Sequence, residues 1–216
     1  MDNYFIKAGY QARSAAPTFV DDIDAYWNAA RQASANAYQW AVYRLAGQAL
    51  AQRSAPSVLD VGCGYPAKLR PLIEPVAARI ALVDQPSMAP LMARDFPAHD
   101  FQGTDLEAPQ AQFAQPFDVV ICADVIEHLC DPLPLLEFLK GQLAPGGQLF
   151  LSTPERDRVR GQDCRHSPNP EHVREWNQAE FGIGAVPAVL APHPVALRGR
   201  QEELPPWRQL PFQKLE

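Results

Sequence analysis

The residues best suited to chemistry lie around a glycine turn in the first half of the chain. An apolar stretch leads into two closely spaced glycines in Val58-Leu-Asp-Val-Gly-Cys-Gly64, and Asp84 ends the next apolar stretch twenty residues later. Glycine lacks the Cβ atom that keeps a ligand away from the main chain. A strand, a glycine turn and a later acidic residue together are typical of a nucleotide-type cofactor site on a parallel sheet.

Asp60 stands two places before the first glycine and bears on which cofactor fits. We expect its carboxylate at the end of the first strand, where a pyrophosphate would meet a like charge at a cost on the order of 1–4 kcal/mol. S-adenosylmethionine carries an ammonium and a sulfonium that this carboxylate would attract, and one carboxylate for the free N–H groups at the start of the next helix. A helix-capping or turn role for Asp60 is the structural alternative.

Two further acidic residues suit the nucleoside half of such a ligand. Asp84 can accept hydrogen bonds from both ribose hydroxyls, which a nicotinamide cofactor needs as well. Asp105 follows at the end of an expected third strand, where it is placed to accept from an adenine amino group. A turn residue in a polar loop is the alternative for Asp105.

The glycine pattern also leaves other classes of protein open. Gly62, Gly64 and Ala67 fit the looser G-x-G-x-x-G/A pattern of dinucleotide sites, which favours a nicotinamide-dependent oxidoreductase. Asp60 opposes that interpretation, as does the lack of a Tyr-x-x-x-Lys arrangement. A non-catalytic relative that keeps the fold and serves as a binding partner is the third alternative.

Apolar runs that alternate with helical patterns must position these residues. Strands are predicted at Ser57–Val61, Arg79–Val83, Phe117–Cys122 and Gln148–Ser152, with one more before Asp105. Helices are predicted from Pro66 onward, over Pro86–Phe96 and over Pro132–Leu143, with a turn at Pro145-Gly146-Gly147. This alternation predicts an α/β fold with a doubly wound, mostly parallel, Rossmann-like sheet and additional N-terminal helices.

Three regions differ in composition. Residues 1–57 are predicted to form a helical cap, 58–153 a cofactor-binding core, and 154–216 a substrate loop followed by an irregular, proline-rich segment. Six prolines after residue 181 argue against strands in that last segment.

The predicted cap is rich in alanine and aromatic residues. Asp21, Asp22 or Asp24 is expected to cap its first helix. The aromatic stripe that includes Trp27 and Tyr43 either packs against the sheet or covers the active site as a lid.

Composition limits the classes of binding partner and the cellular location that we expect for this chain. The chain has 216 residues, 47% of them hydrophobic, and a formal net charge of −6 without a basic run, so we expect no nucleic-acid partner. No apolar run reaches the length of a membrane span and the N-terminus lacks a signal-peptide pattern, so we expect no membrane span and a cytoplasmic location. The four cysteines lack a CxxC spacing and are expected to be free thiols. The oligomeric state stays open.

Five segments in register resemble the class I S-adenosylmethionine-dependent methyltransferases, in particular the branch that acts on small molecules and glycans. They are Val58–Gly64, Leu82–Asp84, Asp105–Leu106, Phe117–Leu129 and Leu143–Thr153. The resemblance implies the Rossmann-like methyltransferase fold and methyl transfer to a small-molecule or glycan acceptor, at oxygen. The segment Asn169–Trp176 resembles, more weakly, a loop of some glycan-modifying members.

The resemblance also implies residue roles. Asp60, Gly62 and Gly64 are implied to hold the methionine part, and Asp84 and Gln85 the ribose. Asp105 and Leu106 are implied to contact adenine. The residues implied to border the methyl group are Cys122, Ala123 and Asp124. The chain departs from the family at Pro66, where a third glycine is usual. It also shows no clear sign of the family's two closing strands, one of them antiparallel.

If the methyl acceptor is a hydroxyl, a base that removes its proton assists the transfer. His128, just past the fourth predicted strand, is the candidate, because an imidazole titrates near neutral pH. A structural role at the start of a helix is the alternative for His128. Glu127 and Glu155 are lesser candidates for the base.

The loop over residues 153–176 carries further polar residues. Its arginines either bind an anionic acceptor or are solvated. Asp163, Cys164, His166 and His172 show no compact ligand spacing, so no metal is expected.

Overall fold

The apolar runs of the sequence become the strands of one parallel sheet. In this computed structural model, which describes residues 4, 6–14, 20–37, 39–183 and 195–197, they are β1 (Ser57–Val61), β2 (Arg79–Asp84), β3 (Asp100–Gly103), β4 (Phe117–Ala123), β5 (Leu143–Ser152) and β6 (Val195–Leu197). Within these residues the order is β3–β2–β1–β4–β5–β6 and every pair is parallel. The strand order reverses between β1 and β4, which is where such sheets bind ligands.

Helices cover both faces of this sheet. They are α1 (Ile23–Tyr26), α2 (Ala29–Ala37), α3 (Trp40–Leu50), α4 (Leu69–Leu72), α5 (Ala89–Asp95), α6 (Leu133–Gly141), α7 (Arg156–Arg160) and α8 (Gln178–Ile183), with 3₁₀ turns at Pro86–Met88 and Ile126–His128. Asp22 caps α1, because its side chain accepts a hydrogen bond of 2.9 Å from the Ala25 N–H. The predicted doubly wound α/β fold with N-terminal helices is confirmed.

The strands divide their buried side chains between two cores because successive residues point to opposite faces. On one face, strand residues pack with α3, α4 and α5, through Val58, Leu82, Ile121, Leu50, Ile73 and Met92. On the other, they pack with α6 and the later loop, through Leu59, Val83, Val120, Leu136, Leu139 and Trp176. Asp60 shares its face with Val58 and therefore points toward α3.

The last strands differ from the prediction. The predicted turn at Pro145-Gly146-Gly147 lies inside β5 as a bulge, because the pairing moves from Phe117–Leu143 to Val119–Gln148. In the proline-rich tail, where strands were not expected, the short β6 pairs with β5 in parallel. The rest of that tail lies outside the described residues.

Other elements are shorter or more regular than predicted. The helix after the glycine turn has only four residues, consistent with Pro71 and Pro75, which interrupt its hydrogen bonding. The later loop, predicted to be irregular, contains α7. Across the described part of the chain, every helix is too short or too polar to span a bilayer.

Substitution of Gly47 tests how closely α3 packs against α4. A Cβ atom at Gly47 would meet the carbonyl oxygen of Leu72, so Gly47→Ala is expected to lower the free energy of unfolding by roughly 1–3 kcal/mol. Gly141→Ala is the matched control, since nothing lies within 4 Å of its added Cβ, and should be neutral or stabilising by up to about 1 kcal/mol. Urea unfolding measures both, and equal effects would contradict the packing of α3 on α4.

Candidate functional site

A buried carboxylate lies at the carboxyl end of β1. Asp60 is 0% exposed, and its Oδ2 atom accepts a hydrogen bond of 2.8 Å from the Tyr43 hydroxyl. Its Oδ1 atom has no hydrogen-bond partner among the described residues. Burial raises the pKa of Asp60 to about 7, although the Tyr43 hydroxyl and the charge of Lys68 act in the opposite direction. One oxygen of this carboxylate is therefore left for a ligand.

The glycine turn that follows is held by its own main chain. Gly62 and Gly64 have φ angles of 70° and 54°, which glycine adopts without strain. The Gly62 N–H donates to the Val83 carbonyl at 2.8 Å, and the Gly64 N–H donates to Asp84 Oδ2 at 2.7 Å. β2 therefore uses these two N–H groups to fix the turn. The N–H groups expected to attract an anionic ligand are those at the start of the following helix, and that expectation stays a prediction.

Asp84 lies at the end of β2, beside this turn. Its Oδ1 atom accepts from the Gln85 N–H at 2.7 Å, and its Oδ2 atom from the Gly64 N–H. Burial raises the pKa of Asp84, and these two backbone hydrogen bonds lower it. Each carboxylate oxygen has two lone pairs, so these bonds leave further acceptor capacity on the carboxylate, part of which the Cys63 thiol uses.

The N-terminal segment, here the described residues from 20 to 39, crosses the carboxyl ends of the central strands. The Gln39 side chain donates to the Ala123 carbonyl at 2.9 Å, and the Gln85 side chain accepts from the Val20 N–H at 3.2 Å. The Trp27 ring lies 2.8 Å from the position that a Cβ atom of Gly64 would take. Of the aromatic stripe, Tyr43 is therefore part of the core, whereas Trp27 covers the glycine turn.

The end of β4 has an unusual backbone. Cys122 and Ala123 are buried, and Asp124 has a φ angle of 56°, which is uncommon for a residue other than glycine. The Asp124 N–H donates to the Ser152 carbonyl at 3.0 Å, and its Oδ1 atom accepts from the Ser152 hydroxyl at 2.8 Å. These two bonds hold the strained residue at the crevice between β4 and β5.

The residues predicted for adenine lie two positions past β3. Asp105 is exposed, and its Oδ1 atom accepts from the Glu107 N–H at 2.9 Å, so that it begins a tight turn. Leu106 is partly buried against the core. The turn role that the sequence left open for Asp105 is thus realised, with its second oxygen still exposed.

His128 lies in a cluster that the sequence did not predict. One ligand atom from each of Glu127, His128 and His172 lies within 4.8 Å of the other two. The His128 Nδ1 atom is 2.9 Å from the Glu171 carbonyl oxygen, and burial lowers the pKa of this imidazole. The sequence had placed His172 with other loop residues, since nothing local indicates that the loop returns to the end of β4.

A second buried carboxylate organises that loop. Glu175 is 0% exposed in its side chain and accepts hydrogen bonds from His172, Ser167 and Arg160. Burial raises the pKa of Glu175, but these hydrogen bonds bring it down to about 2. Glu155, a lesser candidate for the base, instead accepts from the N–H groups of Arg158 and Gln178.

Most of the loop arginines bind other groups of the protein, although Arg158 and Arg165 are exposed. Arg156 is buried against Glu180 and Asp157, and Arg174 is buried with its guanidinium on two carbonyls that follow His128. Of the others, Arg160 pairs with Glu175, and Arg165 donates to a main-chain carbonyl of the N-terminal segment. These contacts fasten the loop, while the exposed Arg158 and Arg165 correspond to the solvated alternative. Binding of an anionic acceptor by this loop stays a prediction.

Residues 30–182 match a family model described as a methyltransferase domain. The chain therefore belongs to this family, and the predicted membership of the S-adenosylmethionine-dependent methyltransferases is confirmed at the level of family and fold. A ubiquinone biosynthesis O-methyltransferase of Xanthomonas axonopodis pv. citri is 33% identical over 107 residues, which is 46% of this chain and 43% of that protein.

Two further similarities agree with this membership. A probable S-adenosylmethionine-dependent methyltransferase of Mycolicibacterium smegmatis is 36% identical over 152 residues, or 67% of this chain and 52% of that protein. The fold is similar to that of the plantazolicin methyltransferase BpumL, with a TM-score of 0.54, 19% identity and coverage of 70% of this chain and 66% of that one. The chain matches only about half the length of the curated relatives, 43% and 52% of these two.

The burial of Asp60 makes stability depend on pH. Its pKa is about 7 in the folded chain and 3.8 in the unfolded reference, so the folded state keeps the proton longer as the pH rises. Folding stability is then lost between about pH 4 and pH 7, by an amount on the order of 2–4 kcal/mol. Asp60→Asn removes this loss, so the variant should gain stability relative to the parent chain as the pH rises through this window. Urea unfolding at several pH values measures it, and a difference that does not change with pH would contradict the assignment.

Proposed function

We propose that this chain transfers a methyl group from S-adenosylmethionine to an oxygen of a small-molecule or glycan acceptor. The observation that carries the proposal is the buried Asp60, with one oxygen lacking a partner in the described chain, beside a glycine turn at the switch point of the sheet. A buried carboxylate oxygen without a hydrogen-bond partner is costly, so the crevice favours a further cation at that oxygen.

The balance of charge in the crevice also suits this methyl donor. Asp60 is buried and Asp84 half-buried, and the two carboxylates repel each other; within the described chain, Lys68 is a cation that acts on Asp60. The methionine part carries two positive charges and one negative charge, so its net charge offsets the remaining negative charge. A dinucleotide pyrophosphate would add to it. Together with family membership, this disfavours the nicotinamide alternative.

The remaining cofactor roles follow from position. We propose that the methionine part lies on Gly62 and Gly64 with its ammonium at Asp60. The ribose hydroxyls would bind the free acceptor positions of Asp84, with Gln85 beside them. The residues proposed to contact adenine are Asp105 and Leu106, and those proposed to border the methyl group are Cys122, Ala123 and Asp124.

Access to this site requires movement of the N-terminal segment. Trp27 occupies the space next to Gly64 that the donor would need, and Gln39 ties the segment to the end of β4. We propose that this segment opens to admit the methyl donor and then closes over it. Exclusion of water in the closed state would strengthen the interaction of the ammonium with Asp60.

When bound, S-adenosylmethionine supplies a methyl group that is already activated by its sulfonium. The protein therefore mainly aligns the acceptor with that methyl group. His128 lies past the end of β4, on the same edge of the sheet as Asp60, and we propose that it acts on the acceptor hydroxyl. Transfer to oxygen is supported by the similarity to the Xanthomonas relative, an O-methyltransferase.

Calorimetry tests the choice of cofactor. We expect one equivalent of S-adenosylmethionine to bind per chain, with no heat from NAD at the same concentration. Asp60→Asn should weaken the affinity about tenfold or more, because the amide cannot neutralise the ammonium. Tight binding of NAD, or no binding of the methyl donor, would contradict the proposal.

Replacement of His128 tests the acceptor side. We expect His128→Ala to lower turnover at least about a hundredfold while the affinity for S-adenosylmethionine is unchanged, because an acid–base or activating group is lost. His166→Ala is the matched control, since His166 is exposed in the same loop as His172 and should keep full turnover. Unchanged turnover of His128→Ala would remove His128 from the reaction. Donor binding without turnover on a broad panel of small-molecule and glycan hydroxyls would favour the non-catalytic alternative.

A further inference from the structure

The cluster at the end of β4 contains three groups that bind metal ions well. Two imidazoles and one carboxylate are a ligand set found around zinc and other divalent first-row metals. The ligand atoms of Glu127, His128 and His172 lie within 4.8 Å of one another. Zinc bonds of about 2.1 Å place the ligands of one ion roughly 3–4 Å apart, so side-chain movements of about 1 Å would close the set.

Each imidazole is already oriented by a second group. The His128 Nδ1 atom is 2.9 Å from the Glu171 carbonyl oxygen, and the His172 Nδ1 atom is 2.6 Å from Glu175 Oε1. Because both partners are acceptors, each Nδ1 carries a hydrogen, which leaves Nε2 as the atom of each ring that can bind a metal ion. Such partners fix the tautomer and the ring orientation of metal-binding histidines.

The carboxylate of Glu127 independently indicates a missing partner. Its side chain is fully buried, and Oε2 accepts from the Thr153 hydroxyl at 3.0 Å. No group in the described part of the chain forms a hydrogen bond with Oε1. Burial of a carboxylate oxygen without a partner carries a desolvation penalty. A cation bound to Oε1 would remove this penalty.

We propose that Glu127, His128 and His172 bind one divalent transition-metal ion that takes the acceptor hydroxyl as a further ligand. The role of this metal ion in methyl transfer rests on the proposed function, but the binding of the ion to the three residues does not. A bound metal ion lowers the pKa of a hydroxyl ligand. The hydroxyl proton leaves to water, the oxygen bonds to the methyl carbon, and the sulfur keeps the electron pair of the broken S–C bond. No oxidant or reductant is needed, and His128 acts as a ligand rather than as a proton acceptor.

Zinc binding to the full chain tests this site. Protein stripped with EDTA is titrated with Zn²⁺ by calorimetry in the absence of methyl donor and acceptor, and bound zinc is counted by elemental analysis. We expect one equivalent of Zn²⁺ per chain. Glu127→Gln and His172→Gln should abolish this binding. Thr153→Val, which removes only the hydrogen bond to Oε2 of Glu127, should weaken the affinity by roughly 10–100-fold.

His166→Gln is the matched control, because it removes an exposed histidine from the same loop and should leave zinc binding unchanged. Thermal unfolding gives a second readout. Zn²⁺ should raise the Tm of the parent chain and of His166→Gln, but not that of Glu127→Gln or His172→Gln. If either of these variants does not fold, the visible spectrum of the Co²⁺-loaded parent chain identifies the metal ligands instead. It should show nitrogen and oxygen ligands without a thiolate band.

The outcomes separate this inference from the proposed function. Absence of zinc binding, or equal affinity in the parent chain and in Glu127→Gln and His172→Gln, overturns the metal site even if S-adenosylmethionine binds. A thiolate band in the Co²⁺ spectrum also overturns it. Zinc binding with the expected variant pattern supports the site even if the methyl donor fails to bind, in which case only the proposed function is lost.

Discussion

The site depends on one buried carboxylate, Asp60, whose Oδ1 atom has no hydrogen-bond partner in the described chain. β1 carries Asp60 into the interior on the face that packs against α3, and Tyr43 of that helix satisfies one of its oxygens. Because burial disfavours the charged form, the free protein holds this group at the edge of ionisation. The proposed cationic ligand would turn this unfavourable arrangement into a binding site.

The same design appears twice at the carboxyl edge of the sheet. Three buried side-chain polar atoms of the described chain lack a hydrogen-bond partner, and two of them are oxygens of Asp60 and Glu127. Buried polar groups are nearly always satisfied, so two unpaired carboxylate oxygens at one edge point to two positively charged occupants. Asp60 lies near the end of β1 and suits the methyl donor, whereas Glu127 follows β4 and suits an ion on the acceptor side.

The sequence was sufficient wherever the pattern was local. Apolar runs located β1, β2 and β4, and the spacing of Asp60, the two glycines and Asp84 located the crevice. These features depend on residues within one strand–turn–strand unit, where periodicity and glycine chemistry act directly. Family resemblance over the same segments then indicated the class of enzyme, which the comparisons bear out.

The sequence was insufficient wherever side chains meet across long separations. Nothing near Tyr43 indicates that its hydroxyl reaches Asp60, and nothing near His172 indicates that it faces His128. The loop arginines suggested an anionic ligand because their partners, such as Glu175 and Glu180, are recognised only once the loop is folded. The bulge in β5 was missed for a related reason, since Pro-Gly-Gly signals a turn whether or not the strand resumes its pairing on both sides.

The most direct test of the central claim is a coupling measurement between the ligand ammonium and Asp60. The affinities of S-adenosylhomocysteine and of its analogue without the amino group are compared by calorimetry, in the parent chain and in Asp60→Asn. If the carboxylate binds the ammonium, removal of the amino group should weaken binding to the parent chain about tenfold or more and have little effect in Asp60→Asn. An equal loss of affinity in both proteins would contradict the account, because the ammonium would then bind elsewhere.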